Sequence, residues 1–312
     1  MREVGGIIAA ANRCVAYPMK KVGSISLIQR IVLTYKKAGI WPIVVITGFE
    51  EPEIKSDLAR EDAIFIINKD YENPPLIDSF KIGLKYLQGK CNRVILTPVN
   101  VPMVNYKTVM EMIEIKDDIV IPSHNMHGGH PVLMDSVHIP SILSYDGEDG
   151  LRGAINSLGA SITWLNVNDR GVTCSINDED EMEGLLPSHN DSLFQPALTI
   201  NIRKEKVFLD SRLRLLLELI DDNESVNGAC KRMSLSLSKA WGMINELEKN
   251  IGYEIVLRRR GGAKEGRTQL SHEGREFMEN YDKFYSAVTK YTWEQFEKYF
   301  EGKTSKDIKY DV

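Results

Sequence analysis

Short apolar runs, each followed by a stretch with helical periodicity, restrict the first two-thirds of this chain to few folds. The first run, Gly5–Ala10, opens the segment VGGIIAAANRCVAYPMKK (Val4–Lys21), which passes from apolar to small residues and then to Asn12, Arg13, Lys20 and Lys21. Further runs lie at Ile43–Thr47, Ala63–Ile67 and Arg93–Thr97. Between them, apolar residues recur mostly at three and four positions: Leu27, Ile28, Ile31, Val32 and Tyr35 in one segment, Ile77, Phe80, Ile82, Leu84 and Leu87 in another. Uninterrupted apolar strands alternating with amphipathic helices predict an α/β domain with a parallel sheet covered on both faces. Ligands of such sheets lie beyond the carboxyl ends of the strands, so the basic end of the first segment stands where a phosphate would bind.

The remaining elements follow from caps and breakers. Ser24 is read as the cap of the first helix and Gly39 as its end, with a short helix around Ile54–Leu58 and another reaching about Ile115. Strands at Ile119–Pro122 and Val132–Met134 flank a His/Gly-rich loop. A helix over Leu151–Leu158, a strand over Ile162–Val167 and a helix over Asp178–Leu186 close the domain. Pro187–Asn201 lacks periodicity and contains Pro196, so the boundary is drawn there. The expected domains are residues 1–190, a linker at 191–206, a second domain at 207–290 and a tail at 291–312, polar from Lys303. Within the second domain, helices at Leu209–Ile220, Val226–Met233 and Ser236–Leu247 precede a candidate hairpin over Glu254–Leu270 that turns at Gly261-Gly262-Ala263. A final helix begins after Ser271 and carries Phe277, Met278, Tyr281, Phe284 and Tyr285.

Composition permits two cores, with 312 residues and 43% hydrophobic content. The net charge of −5 is uneven, because Arg203–Arg275 holds 15 Lys/Arg against 11 Asp/Glu while the rest of the chain is acidic. A basic module on an acidic body fits a protein with one nucleic-acid-facing part, although a solvated surface gives the same balance. Cys14, Cys91, Cys174 and Cys230 are widely separated and read as reduced thiols of a cytoplasmic protein. No run of 18 apolar residues predicts a membrane span.

Helix, helix, helix and basic hairpin is the order of a winged helix-turn-helix, in which the third helix enters the major groove of double-stranded DNA and the hairpin follows its backbone. Ser236, Ser238 and Lys239 stand at the start of that third helix, and Trp241, Ile244 and Leu247 form its apolar stripe. Arg258, Arg259, Arg260, Lys264 and Arg267 concentrate charge on the wing. The competing reading is a small helical domain with a solvated loop. The segments GACKRMSLS, SKAWGMINELEKNIG and RRRGGAKEGRTQLSHEGREF, within Phe208–Phe277, resemble the DNA-binding domain of ModE-type molybdate-responsive regulators and, more distantly, the LysR type. That resemblance puts Ser238, Lys239, Arg258 and Arg267 on DNA and assigns dimerisation to the helix Glu273–Lys290, making a homodimer the expected state.

Residues 1–186 resemble the MobA-like nucleotidyltransferases, which include the cytidylyltransferases of molybdenum-cofactor assembly. The resemblance implies a Rossmann-like, three-layer fold of the nucleotide-diphosphosugar-transferase type. Such proteins open with L-A-A-G-x-S-x-R-M-G; this chain has Ile8-Ala9-Ala10-Ala11-Asn12-Arg13, so a methyl group stands where backbone must approach phosphate closely. Pro98-Val99-Asn100-Val101-Pro102 matches P-V-D-x-P, whose aspartate ligates the catalytic metal, and Ser175-Ile176-Asn177-Asp178 matches the segment of a second metal aspartate. Gly129-His130-Pro131-Val132 keeps a G-H-P-V strand entrance that lines an acceptor-side pocket. The resemblance therefore implies Mg2+ with a nucleoside triphosphate or pterin-type ligand, held by Ala10, Ala11, Asn12, Arg13, Lys20, Lys21, Gly129 and His130, while Asn100 and Asn177 are degenerate metal positions. His124, His127 and His130 form HxxHxxH without a fourth ligand, so no metal site is read there.

The expectation is a cytoplasmic, dimeric transcriptional regulator whose nucleotidyltransferase-like domain senses a nucleotide-like or phosphorylated small molecule with impaired catalysis. The alternative is an active molybdopterin cytidylyltransferase, or related nucleotidyltransferase, that also binds DNA to regulate itself. A scaffold that uses both modules for protein contacts is the third class.

Overall fold

The computed structural model describes residues 2–11, 17–72, 75–223, 225–258 and 268–300. Asn12, Arg13, Cys14, Arg259, Arg260, Lys264 and Arg267, with the turn Gly261-Gly262-Ala263 and the tail beyond Phe300, lie outside the described residues. The chain divides into two compact units between Phe194 and Gln195.

In the first unit, β1 (Arg2–Ala10) is followed by a small ladder of β2 (Lys21–Val22) with β3 (Ile25–Ser26), and by α1 (Leu27–Lys37). The alternation continues through β4 (Ile43–Thr47), α2 (Glu51–Asp57), β5 (Ile64–Ile67), α3 (Leu76–Leu87), β6 (Cys91–Pro98) and α4 (Tyr106–Glu114). Then come β7 (Ile119–His124), β8 (His127–Gly128), β9 (Val132–Asp135), α5 (Ile139–Ser144), α6 (Gly150–Asn156), β10 (Ile162–Asn166) and α7 (Glu179–Ser192). Among the described residues one eight-stranded sheet runs β10-β7-β9-β6-β1-β4-β5, with β8 added to β7.

β1 shows why helices cover both faces. Successive side chains of a strand point to opposite sides. Val4, Ile8 and Ala10 join the cluster of Leu27, Ile31 and Tyr35 from α1 and Val109 and Met112 from α4. Ile7 lies instead against Gly83 of α3, so closely that a Cβ at Gly83 would stand 2.6 Å from its Cγ2. α3 in turn packs with α5 and α6, which completes the second helical layer.

The sheet is mixed, correcting the expected all-parallel arrangement. β1, β4, β5 and β6 are parallel neighbours, as are β7 and β10, but β9 is antiparallel to both β6 and β7. A parallel return needs a crossover of about a dozen residues or more, and residues 125–131 are too few for it. The chain turns back at Asn125 and Met126, both with positive φ, and inserts β9 between its neighbours.

Three local expectations also shift. Ser26, not Ser24, caps α1, its Oγ accepting from Gln29 N at 3.1 Å; the β2–β3 turn, with Gly23 at φ +69, takes up Ser24. α5 spans six residues, too few for an apolar period to show in the sequence. α7 continues through Pro187 to Ser192 instead of ending at Leu186. Tertiary contacts hold that last stretch: the fully buried Arg30 donates from Nη1 to His189 Nδ1 at 3.1 Å and to Asn190 Oδ1 at 3.0 Å, and from Nε to Val22 O at 3.0 Å. Lys37 Nζ donates to Ser192 O at 2.6 Å and Phe194 O at 2.8 Å, satisfying carbonyls at the helix end. These bonds offset the one lost at the proline.

In the second unit, β11 (Ile202–Arg203) pairs with β12 (Val207–Leu209), so part of the segment read as linker is a strand. α8 (Ser211–Asn223), α9 (Val226–Met233) and α10 (Leu237–Ile251) follow, then the antiparallel pair β13 (Val256–Arg258) and β14 (Thr268–Leu270), and α11 (His272–Phe300). Leu216, Ile220, Val226, Ala229, Ala240, Ile244, Leu247, Val256 and Leu270 are buried core residues. Glu248 of α10 accepts Ile255 N at 2.9 Å and Val256 N at 3.1 Å, which fastens the strand pair to the helix. α11 runs ten residues past the expected Lys290, where Trp293 meets Phe296 edge to face and Phe296 stacks on Phe300 across successive turns, with ring centroids 5.9 and 5.1 Å apart. Among the described residues no helix is long and apolar enough to cross a membrane, and Cys91, Cys174 and Cys230 are buried.

Candidate functional site

Three loops converge beyond the carboxyl ends of the central strands. The register of β6 against β9 places Leu96 opposite Val132, so the chain entering β9 at His130 runs beside the chain leaving β6 at Pro98. The third loop, residues 169–178, ties itself to both. Gly129 sits so close to it that a Cβ there would lie 2.1 Å from Val172 O, and Val172 O accepts His130 N at 2.8 Å. Asn100 O accepts Ile176 N at 2.9 Å. That single bond brings the sequence-predicted positions Asn100 and Asn177 into one neighbourhood, although 77 positions separate them in the chain.

Asp169, which the sequence reading missed, organises this junction. Its Oδ2 accepts Asn105 N at 2.9 Å and Thr108 Oγ1 at 2.7 Å, and its Oδ1 accepts Gly171 N at 2.9 Å. Nothing in its local sequence distinguishes it from a surface aspartate, because Asn105 and Thr108, the partners that make it a junction, are distant in the chain.

The donor set does not fit Mg2+ as a pair of aspartates would. Mg2+ favours carboxylate and phosphate oxygens, while Asn100 and Asn177 offer neutral amides. Asp178, the adjacent carboxylate, already accepts Ser175 N at 3.1 Å and Ser175 Oγ at 3.0 Å through Oδ2. Asn100 Oδ1 is buried and, among the described residues, accepts no hydrogen bond. It is an acceptor available to a neutral donor on a ligand.

The basic candidates are not equivalent. Lys20 Nζ is bonded to Glu179 Oε1 in the first turn of α7, and this contact holds the Glu179 carboxyl below its ordinary pKa. Lys21 is exposed on β2. Ala10 and Ala11 are buried, and Ala11 packs on Gly48, where a Cβ would come within 2.3 Å of Ala11 O. The Ala11 backbone is therefore committed to a protein neighbour, whatever Asn12 and Arg13 do.

Burial keeps two histidines neutral. His130, whose Nδ1 finds no partner among the described residues, has its pKa pushed down to about 4. His189 is lowered to about 3, by burial first and then by the positive charge of Arg30. In both cases the unfolded chain binds the proton more readily, so stability is full above about pH 6.5 and is lost as pH falls toward the folded pKa. Each histidine should contribute a loss of about 1.4 kcal/mol per pH unit in that window. Urea midpoints measured from pH 7 to pH 4 should fall less steeply in His189→Gln than in wild type; parallel curves would refute the assignment. The other two histidines of the HxxHxxH pattern bond backbone carbonyls, His124 Nδ1 the distant Val167 O at 3.0 Å and His127 Nδ1 the neighbouring Asn125 O at 2.9 Å.

Further along the same sheet edge, an open depression of about 680 Å3 is lined by Ser123, Asn125, Met126, Trp164 and Asn166. The sequence reading named none of them as site residues.

In the second unit, Ser236, Ser238 and Lys239 are exposed at the start of α10, where Ser236 Oγ caps the helix by accepting Lys239 N at 3.2 Å. Trp241 corrects the expected stripe: Ala240, Ile244 and Leu247 are buried, whereas Trp241 is half-buried under the Arg258 guanidinium, 4.8 Å from the ring centroid. Arg258 also bonds Asn245 Oδ1 at 2.6 Å and Glu248 Oε2 at 3.2 Å. It is thus a strut between strand and helix before it is a phosphate ligand. Arg259, Arg260, Lys264 and Arg267 lie outside the described residues.

A family model for the MobA-like NTP transferase domain matches residues 18–162. The first unit therefore has a mixed α/β, Rossmann-like nucleotidyltransferase fold. The match includes Lys20, Lys21, Asn100, Gly129 and His130, and leaves out Ala10 to Arg13 and Asn177. Among solved structures, Rv0371c from Mycobacterium tuberculosis H37Rv superposes with a TM-score of 0.52 at 16% identity, over 60% of this chain and 98% of that one. The same protein in complex with manganese gives 0.50 at 14% identity, over 59% and 98%. A nucleotidyl transferase from Methanothermobacter thermautotroptrophicus gives 0.50 at 14% identity, over 60% and 100%. At these identities the likeness concerns fold alone. No curated protein sequence matches the chain.

Proposed function

We propose that this chain is a DNA-binding transcriptional regulator whose N-terminal domain holds a nucleotide-like or phosphorylated ligand and turns it over slowly or not at all. The observation that carries the reading is the amide pair: Asn100 and Asn177 are drawn together by the Ile176 N to Asn100 O bond, yet present no carboxylate to a metal. A structural neighbour was obtained with manganese; here the oxygens matched to the metal aspartates are neutral, so a divalent ion has lost its two strongest ligands. Phosphate attraction survives through Lys20 and Lys21.

The second domain, residues 207–290, acts in this reading as a winged helix-turn-helix on double-stranded DNA, working as a homodimer. Its support is the order of α8, α9, α10 and the β13–β14 pair, with Ser238 and Lys239 exposed where a recognition helix meets bases and phosphates. The direct test pairs calorimetric titration of the full-length protein with CTP and GTP, with and without Mg2+, with retention of genomic DNA fragments at low salt. Binding without turnover together with retained fragments supports the reading; turnover at enzymatic rates moves the cytidylyltransferase alternative to first place.

The Lys20–Glu179 pair makes a narrower prediction. Glu179 competes with an anionic ligand for Lys20, so Glu179→Gln should tighten triphosphate binding about two- to fivefold, as expected for release of an exposed ion pair. Lys20→Met should weaken it. Titration of both variants with inorganic triphosphate decides the point, and unchanged affinity in both would remove Lys20 from the ligand site.

A further inference from the structure

We infer that the free edge of β10 is a self-association surface, on which a second copy of this chain lays its own β10 antiparallel and continues the sheet across a two-fold axis. The contact is separate from the proposed homodimer of the second domain and does not depend on the ligand-holding reading.

β10 ends the sheet: among the described residues it pairs only with β7. The bonds to β7 fix which of its backbone groups are already used. Ser161 O accepts Ile119 N at 3.1 Å, and Ser123 O accepts Val167 N at 2.9 Å. Residues two apart face the same neighbour, so 161, 163, 165 and 167 turn N–H and C=O toward β7 while Ile162, Trp164 and Asn166 turn theirs outward. A row of outward donors and acceptors is a template for another strand.

The side chains do nothing to discourage one. Sheet edges are commonly blunted by Lys, Pro or inward-pointing charge, yet residues 162–167 read Ile-Thr-Trp-Leu-Asn-Val, without charge or proline. No residue of β10 is buried, so the helical layers that cover the central strands do not absorb its Ile, Trp and Leu. Trp164 is 56% exposed. It is nevertheless braced, since a Cβ on Gly128 would come within 2.4 Å of its Cζ3, and a fixed indole loses little entropy when it is covered.

Self-complementarity selects the partner. A two-fold axis through Trp164 sets that residue against its own copy as a hydrogen-bonded pair, in which each N–H donates to the other's C=O, and sets Ile162 against Asn166 of the second copy on either side. Every outward backbone group then has a partner. Trp164 meets Trp164 on one face, an aromatic cross-strand pair, and Thr163 meets Leu165 on the other. A charge at the centre of such a contact would face itself and be repelled; this strand places none there. Met126, 97% exposed, borders one depression with Trp164 and Asn166. Because Ile162 of the second copy arrives opposite Asn166, Met126 offers it an apolar neighbour that adapts to its shape.

Sedimentation of the full chain over about 1 to 100 μM, with circular dichroism as the fold control, tests the inference. Wild type should associate. Trp164→Glu sets two carboxylates against each other on the axis and should weaken association about tenfold or more, with Trp164→Phe falling between. Asn166→Pro removes an outward N–H that β7 does not use and should weaken association while the sheet stays intact. Geometry has its own readout: oxidised Trp164→Cys should cross-link between copies, since residues opposed in a hydrogen-bonded pair lie about 5.5 Å apart at Cα. Cysteine at the exposed Val137, in Val137→Cys, should not. A wild-type dimer that becomes monomer in Trp164→Glu supports the inference. A tetramer that becomes dimer also supports it, and shows the second-domain contact to be separate. Sedimentation unchanged by both Trp164→Glu and Asn166→Pro overturns it and leaves the second-domain homodimer untouched. A wild type monomeric throughout the range, with no cross-link at position 164, overturns it as well and leaves the edge to an extended segment of a different protein.

Discussion

Pyrophosphate release by the wild-type chain should stay near background with each of the four nucleoside triphosphates, in Mg2+ or Mn2+, with a pterin acceptor present. Attack on an α-phosphate requires a divalent ion to neutralise developing charge and to align the leaving pyrophosphate. With amides at Asn100 and Asn177, a deficit of about 4 kcal/mol in transition-state stabilisation slows the reaction roughly 1000-fold. Asn100→Asp with Asn177→Asp should restore part of the divalent-ion affinity, and this is readable apart from activity. A carboxylate at the buried Asn100 position lowers the thermal midpoint in the absence of metal, and added Mn2+ recovers it. Full turnover does not return, because the Ala11 backbone stays packed on Gly48. Wild-type turnover on the order of 1 s⁻¹ that disappears in Asn100→Ala would show the amide site to be catalytic.

DNA binding by the full-length protein should be strong at low salt and fall steeply as salt rises. Lys239 is exposed at the start of α10, the end that the proposed reading turns toward the duplex. Lys239→Ala should reduce the slope of log affinity against log salt by about one, the share of a single phosphate contact. Charge reversal in Lys239→Glu should weaken binding about 10- to 100-fold. Arg258→Ala should behave differently from a pure phosphate contact. It breaks the bonds to Asn245 and Glu248 and uncovers Trp241, so the melting temperature falls together with affinity. Retention of genomic fragments by filter binding, with melting curves on the same samples, separates the two effects. Fragments retained by neither wild type nor variants at low salt would refute the DNA-binding reading.

The elements that were legible were those whose determinants are local. α3 spans the expected Leu76–Leu87 and α9 the expected Val226–Met233, because apolar spacing and boundary residues decide both without outside help. Where a distant partner participates, the local signal failed. α7 passes through Pro187 because Arg30 and Lys37 hold its last turn, and Trp241 leaves the buried stripe because Arg258 covers it. The Arg258 cation also lost its apparent freedom to Glu248, as Lys20 did to Glu179.

The sequence by itself determined the alternation of strand and helix and the side-chain identities at the positions the resemblance singles out: amides at Asn100 and Asn177, a methyl group at Ala11. These are matters of side-chain chemistry and periodicity, which a linear string carries in full. Tertiary structure alone decided that β9 runs against its neighbours, that Ile176 N bonds Asn100 O and so brings the two loops together, that Asp169 ties the loops together, and that Trp164 and Met126 border one depression. The physical reason is common to all four. Each depends on closing a long stretch of chain onto a particular partner, and the bonds that repay the entropy of closure belong to residues far apart in sequence.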